Sequence, residues 1–337
     1  MSREAMLELL LSMGREIRGA VVAACAAQRT EQLSAVVRDD EGDTIYAIDS
    51  VSEQIVVARV EAAAAALGGV VLVAEGLRGG QLVLPRGSSE AAAHWRLIVD
   101  PIDGTRGIMY QKRSAWVLAA AAPNQGEQTP LSAAEVTVQI EIPTLKQHLC
   151  DDLWLVAGGE VVARRVDRLS GVEAPLELGP SRAGSIAHGY AMLSRFFPGV
   201  RAELAAIDEE VVRAVLGVSP AGKALCFEDQ YASTGGQLYE LMAGHDRFNA
   251  DLRPLFGETL ERRGLPKSLC CHPYDVCTLA IAERLGVIVT DPLGQPLGVP
   301  MNLDADVAWV AYANHRIRAE VEPALRAALV RRGLVAP

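Results

Sequence analysis

No stretch of this chain reaches the roughly 18 consecutive apolar residues that a membrane span requires. The longest candidate, Ala62 to Ala74, is interrupted by Gly68-Gly69. A leader-like start is also missing: Glu4 and Glu8 sit among the first leucines, where a secretory signal would place a basic then an apolar region. The opening residues read as an amphipathic helix, and a cytoplasmic protein without membrane partners is expected. Positive charge is in deficit, with 32 Lys and Arg against 42 Asp and Glu and a formal net charge of −10. That balance, with no basic stripe to offset it, argues against nucleic acid as a main partner. It does not exclude a small anionic substrate, because bound cations reverse the local sign. A disulfide framework is absent too. The cysteines at 25, 150, 226, 270, 271 and 277 show no paired pattern, and a chain of 337 residues needs no covalent staples. Cys270, Cys271, His272 and Cys277 fit no standard zinc spacing. Internal repeats and long low-complexity segments are likewise absent.

What is present is apolar surface. Half of the residues are hydrophobic, enough for a sizeable core in one large domain or two ordinary ones. Helices are expected over 3–30 and 49–67, and an acidic turn over 38–44. Strands are expected over 70–74, 95–99, 114–122 and 135–143, with a hairpin in 153–166 around Gly158-Gly159. The stretch 77–89 reads as a connection. Gly179-Pro180-Ser181 suggests a boundary between an α+β half, 1–180, and an α/β half, 181–337. In the second half, helices are expected over 189–197, 203–216, 234–244, 275–285 and 315–332, with strands over 287–291 and 306–312. A sheet-rich half followed by an alternating half predicts stacked layers of helices and sheets.

The most informative segment is Asp100-Pro101-Ile102-Asp103-Gly104-Thr105, directly after the apolar run Trp95 to Val99. Two carboxylates leave the end of a buried strand, three residues apart. Pro101 fixes the backbone and offers no N–H, and Gly104 lets the chain approach an anion. Unpaired, the two acids would repel. Hard oxygen ligands with a carbonyl between them suit Mg²⁺. Asp49, Glu75 and Asp275 also fall at the ends of expected elements, where layered α/β proteins gather functional groups. Taken singly, Asp49 and Asp275 also fit helix caps and Glu75 a solvated acid.

Together these segments resemble the inositol monophosphatase family, whose Asp-Pro-x-Asp-Gly-Thr motif follows a strand. Tyr46 to Glu53 is similar to the family's early helix start, and Val73-Ala74-Glu75-Gly76 to its Gly-Glu-Glu segment. Tyr274-Asp275-Val276-Cys277, followed by Gly286 to Asp291, is similar to its late Trp-Asp motif, helix and strand. In order and rough spacing the resemblance covers about residues 5–315. It implies a layered αβαβα sandwich and a Mg²⁺-dependent, lithium-sensitive phosphomonoesterase, often a homodimer. It further implies that Glu75, Asp100, the carbonyl of Ile102, Asp103 and Asp275 hold two Mg²⁺. Asp49 would join through a third ion or a water, Thr105 and Glu75 would orient the attacking water, and the Gly104 and Thr105 N–H groups would face the phosphate. Candidate substrate contacts are Arg106, Ser233, Thr234, Gly235 and Asp251. A helix cap with close packing is the plain alternative for 233–235.

The chain departs from the pattern at Gly76, which replaces a second Glu, at Tyr274, which replaces Trp, and at Arg106 to Tyr110. Extra residues also fall between Asp251 and Cys270. The implied substrates therefore range over inositol monophosphate, a sugar phosphate such as fructose 1,6-bisphosphate, and 3′-phosphoadenosine phosphate. A haloacid-dehalogenase-type Asp-x-Asp-Gly-Thr would need its first acid at position 101, which is proline. A calcium loop counted from Asp39 would need Gly and Glu where Thr44 and Ser50 stand. A non-catalytic scaffold or phospholigand sensor on the same fold is the second reading.

Overall fold

The computed structural model describes residues 2–40, 43–77 and 79–336. The chain opens with α1 (Arg3–Ala27), a short α2 (Thr30–Leu33) and the antiparallel pair β1 (Val36–Asp40) and β2 (Asp43–Tyr46). Next come α3 (Asp49–Ala64), β3 (Val70–Ala74), β4 (Gln81–Leu84), β5 (Trp95–Asp103), α4 (Thr105–Met109) and β6 (Ala115–Pro123). The run β7 (Val136–Ile142), β8 (Leu149–Val156), β9 (Val162–Asp167) and β10 (Glu173–Pro175) ends the sheet-rich part. The remainder is β11 (Tyr190–Leu193), α5 (Arg201–Leu216), α6 (Thr234–Met242), β12 (Asp246–Asp251), α7 (Gly257–Arg262), α8 (Leu279–Leu285), β13 (Ile288–Thr290), β14 (Trp309–Tyr312) and α9 (His315–Arg331).

Strands β3 to β10 form an eight-stranded sheet in the order β10-β9-β8-β7-β6-β5-β3-β4, antiparallel except where β3 meets β5. A second sheet has the order β11-β12-β14-β13. The central strands are apolar on both faces because both are covered. On β6, Ala115, Val117, Ala119 and Ala121 join the core beneath α1 and α3, while Trp116, Leu118, Ala120 and Ala122 face the opposite way. That second core includes Leu238 and Leu241 of α6, Ile281 of α8, and Trp309 and Ala311 of the small sheet. The far face of the small sheet, with Phe248, Ala250, Val310 and Tyr312, packs on Leu204 and Ile207 of α5 and Ile317 and Val321 of α9. Helices and sheets thus stack as αβαβα. A buried acid ties the outer helix layer to the large sheet: Asp152 of β8 accepts from Arg15 Nε at 2.8 Å and pairs with Arg18.

Four local expectations are corrected. The stretch 189–197 holds the strand β11 rather than a helix; Tyr190 to Leu193 pair in parallel with β12, and strand pairing overrides the helical preference of Ala, Met and Leu. Arg38 to Thr44 belongs mainly to the paired strands β1 and β2; the connection at 41–42 lies outside the described residues. The connection 77–89 contains β4, which pairs with β3. Residues 275–278 are turn, and the helix expected from 275 begins at Leu279.

The junction of α6 with the large sheet is tight. A Cβ on Gly235 would meet Leu118 Cδ2 at 2.6 Å and Asp103 Oδ2 at 2.9 Å. Gly235→Ala is therefore expected to destabilise the protein by about 1–3 kcal/mol, as overpacking does, measured by denaturant unfolding.

Candidate active site

The two acids of β5 share a face because the strand is irregular between them. Strict alternation puts positions 100 and 103 on opposite faces. Here Asp100 pairs with Leu118 and Asp103 with Trp116, so three steps on β5 oppose two on β6. This β-bulge turns Asp103 to the side of Asp100, toward the layer between the sheets. Gly104 follows with φ +94°, where an added Cβ would lie 3.0 Å from Ser233 Cβ, and the chain enters α4.

Asp275 reaches the same place from the turn before α8. It does not cap that helix; its Oδ2 accepts from His272 N at 2.6 Å. Ligand oxygens of Asp100, Asp103 and Asp275 lie within 4.8 Å of one another. Asp100 and Asp103 are only 1% and 5% exposed. Asp103 is clamped by the start of α6: its Oδ2 accepts from Ser233 Oγ at 2.8 Å and Gly235 N at 2.6 Å, and its Oδ1 from Thr234 N at 3.3 Å. Ser233 also caps α6 by accepting from Gly236 N. Asp100 Oδ1 accepts from Ile102 N at 2.9 Å.

Burial and mutual repulsion set the electrostatics. Desolvation pushes the Asp100 carboxyl well above the usual range, and the charges of Glu75, Asp103 and Asp275 add to it. Asp275 is raised well above normal by burial and by Asp103. Burial lifts Asp103 to about 6, against the lowering effect of its hydrogen bonds from Ser233 and the α6 backbone. A set of crowded carboxylates plus a carbonyl is a hard, all-oxygen donor set, and it fits Mg²⁺.

A cleft of about 520 Å³, open to solvent, is lined by Glu75, Asp100, Ile102, Asp103, Gly104, Thr105, Arg106, Ser233, Thr234 and Asp275. Asp49 lies one layer behind it. Its Oδ2 accepts from Tyr46 N at 2.8 Å, and its Oδ1 is 3.0 Å from the Thr105 hydroxyl, which is also 2.8 Å from the Ile102 carbonyl. Asp49 shares a smaller cavity with Glu53, Glu75 and Ile102.

Of the candidate substrate contacts, Arg106, Ser233 and Thr234 line the cleft and Gly235 does not. The hydrogen bonds of Ser233 and the Thr234 and Gly235 amides go to Asp103 or the helix cap, which is the plain alternative raised for them. Asp251 is 1% exposed, does not line the cleft, and is paired with Arg253. Sequence reasoning missed Arg253 itself, together with Phe196, Phe197, Cys270 and Cys271 in the same wall. The available signal was Asp-Leu-Arg at a strand end, a spacing that permits a local ion pair. The Glu53 carboxylate occupies the space beside Gly76, where a Cβ would come within 2.2 Å of Glu53 Oε1, so the departure at position 76 makes room for it.

The raised carboxylates carry a linked prediction. An acid whose folded pKa exceeds its unfolded value holds more protons folded than unfolded between the two, so stability falls as pH rises through that window. Asp103 places the window from about 4 to about 6, and Asp100 and Asp275 extend it upward. Asp208 and Asp246, each raised to about 6 by burial, act in the same direction but lie outside the cleft. Thermal melts in EDTA are therefore expected to drop from about pH 5 to about pH 7.5 more steeply than melts in Mg²⁺. At neutral pH a hundredfold excess of Mg²⁺ over its Kd adds about 2.7 kcal/mol, or roughly 4 °C in a chain of this size.

By sequence the chain matches no family model and no curated protein. By structure it is similar to Leishmania major fructose-1,6-bisphosphatase, at TM-score 0.67 and 11% identity over 97% of this chain and 96% of that one. It is similar to the extragenic suppressor protein suhB from Bartonella henselae, at TM-score 0.63 and 15% identity over 96% and 98%. It is also similar to inositol monophosphatase from Anabaena, at TM-score 0.57 and 15% identity over 97% and 94%. The layered architecture and these full-length likenesses establish that the chain has the inositol monophosphatase fold.

Proposed function

We propose that this chain is a Mg²⁺-dependent phosphomonoesterase acting on a small phosphorylated molecule. The observation that carries this reading is the convergence of Asp100, Asp103 and Asp275 in one cleft with Glu75 and Thr105, whose hydroxyl is 3.0 Å from Asp49 Oδ1 behind it. Asp100, Asp103, Asp275, Glu75 and the Ile102 carbonyl would hold the ions. When bound, Mg²⁺ supplies positive charge to the phosphoryl oxygens and acidifies water at neutral pH.

The chain's own groups do the rest. Water attacks phosphorus in line, forming one P–O bond as the ester P–O bond breaks. The water proton passes to Thr105 Oγ1, whose own proton moves to Asp49 Oδ1; the 3.0 Å separation supports this relay. Glu75 orients the same water. The leaving alkoxide takes a proton from solvent. The Gly104 and Thr105 N–H groups, at the entry to α4, are suited to the phosphate oxygens. No enzyme atom attacks phosphorus, so no phospho-enzyme forms.

The test is phosphate release from a panel of inositol, sugar and nucleotide monophosphates, with Mg²⁺ and with EDTA. Release that requires Mg²⁺ supports the reading. A silent panel from folded protein that also binds no Mg²⁺ by calorimetry favours the scaffold or sensor instead.

A further inference from the structure

One wall of the cleft takes no part in the chemistry proposed above. Arg253 lines it at 3% exposure, two residues beyond the end of β12. Its Nε donates to Asp251 Oδ1 at 2.8 Å, its Nη2 pairs with Asp251 Oδ2, and its Nη1 donates to the Leu269 carbonyl at 2.7 Å. Those bonds use three of its five side-chain N–H groups. One remains on each terminal nitrogen. The guanidinium lies over the rings of Phe196 at 4.5 Å and Phe197 at 5.2 Å. Arg106 approaches the same Phe197 ring at 5.0 Å. All four side chains line the cleft that contains the acid cluster.

This arrangement reverses what a polyol would want. A free carboxylate at Asp251 would accept hydrogen bonds from sugar or inositol hydroxyls. Here that carboxylate is consumed internally, and the group presented instead is a fixed, planar, donor-only cation. Charge-assisted hydrogen bonds to such a fork are about twice as strong as neutral ones, so the wall favours a charged acceptor over a hydroxyl. Stacking on Phe196 and Phe197 and the bond to Leu269 hold the fork in place.

We infer that Arg253 determines specificity by receiving a second anionic group, a carboxylate or a phosphate, on the alcohol portion of the substrate. Asp251 is its positioning residue, and Arg106 with the Phe196–Phe197 pair completes the subsite. The inference rests on the phosphatase reading, which puts the reacting phosphate at the acid cluster.

Two matched pairs test it with the full-length protein and Mg²⁺. 2-Phosphoglycerate against glycerol 2-phosphate isolates a carboxylate, and fructose 1,6-bisphosphate against fructose 1-phosphate isolates a phosphate. The wild type is expected to favour the anionic member of at least one pair by about tenfold or more in kcat/KM, mostly through KM. The responding pair says which anion is used. The double variant Asp251→Asn/Arg253→Gln replaces the buried ion pair by neutral amides and leaves no lone charge. In it the ratio is expected to fall to within about threefold of unity. Equal rates within both wild-type pairs overturn the subsite, as does a folded double variant that keeps the preference. If none of the four compounds is hydrolysed, the phosphatase reading is judged on the wider panel above. Calorimetry on the same pairs then decides the subsite, with the same tenfold preference supporting it and equal binding refuting it.

Discussion

Asp103→Asn is expected to lower kcat by about three orders of magnitude or more while the fold is retained. Asp103 is the acid at which the large sheet meets the helix α6. It sits on the large sheet, shares the donor cluster with Asp100 and Asp275, and is gripped by the start of α6. An asparagine has nearly the same shape. Its amide oxygen keeps the bonds from Ser233 Oγ and Gly235 N, and only the weaker contact from Thr234 N at 3.3 Å turns donor against donor. Removing a charge that burial already disfavours offsets that loss, so the melting temperature in EDTA should not fall. What is lost is one of the four carboxylate charges, with Asp100, Asp275 and Glu75, that would attract a cation. Phosphate release, circular dichroism and melts with and without Mg²⁺ check the three parts separately. Near-wild-type turnover would remove the carboxylate cage from the mechanism.

Thr105→Ala is expected to cost about 10²–10³ in kcat with little change in KM, the range of a lost general acid–base group. The Thr105 hydroxyl is the only atom of that side chain in hydrogen-bond reach of both Asp49 and the Ile102 carbonyl among the described contacts. Alanine breaks the path from the cleft to Asp49 and leaves the cation ligands untouched. Thr105→Ser restores the hydroxyl without the methyl group and is expected to recover most of the rate. A serine variant as slow as alanine would mean that the methyl packing, and not the proton path, is what matters.

Much of the cage is legible from residue order because its key part is local. Asp100 and Asp103 follow an apolar strand directly, and a strand that is buried on both faces reads as an uninterrupted apolar run. Asp275, by contrast, is linked to them by nothing in local chemistry; its place at the end of an expected element marks it, and only the family resemblance joins it to the other two. The strand over 190–193 is hidden for a different reason. Tyr190 to Leu193 carries residues with good helix propensity, and Asp246 to Asp251 carries few β-formers, yet the two pair with each other in the interior. Strand identity there belongs to the partner, which no single segment encodes. Arg253 was missed for a related reason. Its importance comes from the aromatic wall at 196–197, more than fifty positions earlier, and from Asp251 turning inward.

The surplus residue in β5 also governs how this locus tolerates genetic change. Asp100 and Asp103 owe their common orientation to a count, three positions opposite two, and not to the particular side chains between them. Exchanges at 101 or 102 leave that count intact, which suits a fold shared with a Leishmania enzyme at 11% identity. Loss of a single codon there is a different matter. It would leave two positions opposite two, so that regular alternation still keeps both acids on one face, but it would remove the extra length over which Ile102 N reaches back to Asp100 Oδ1 and would reset the spacing of the two carboxylates.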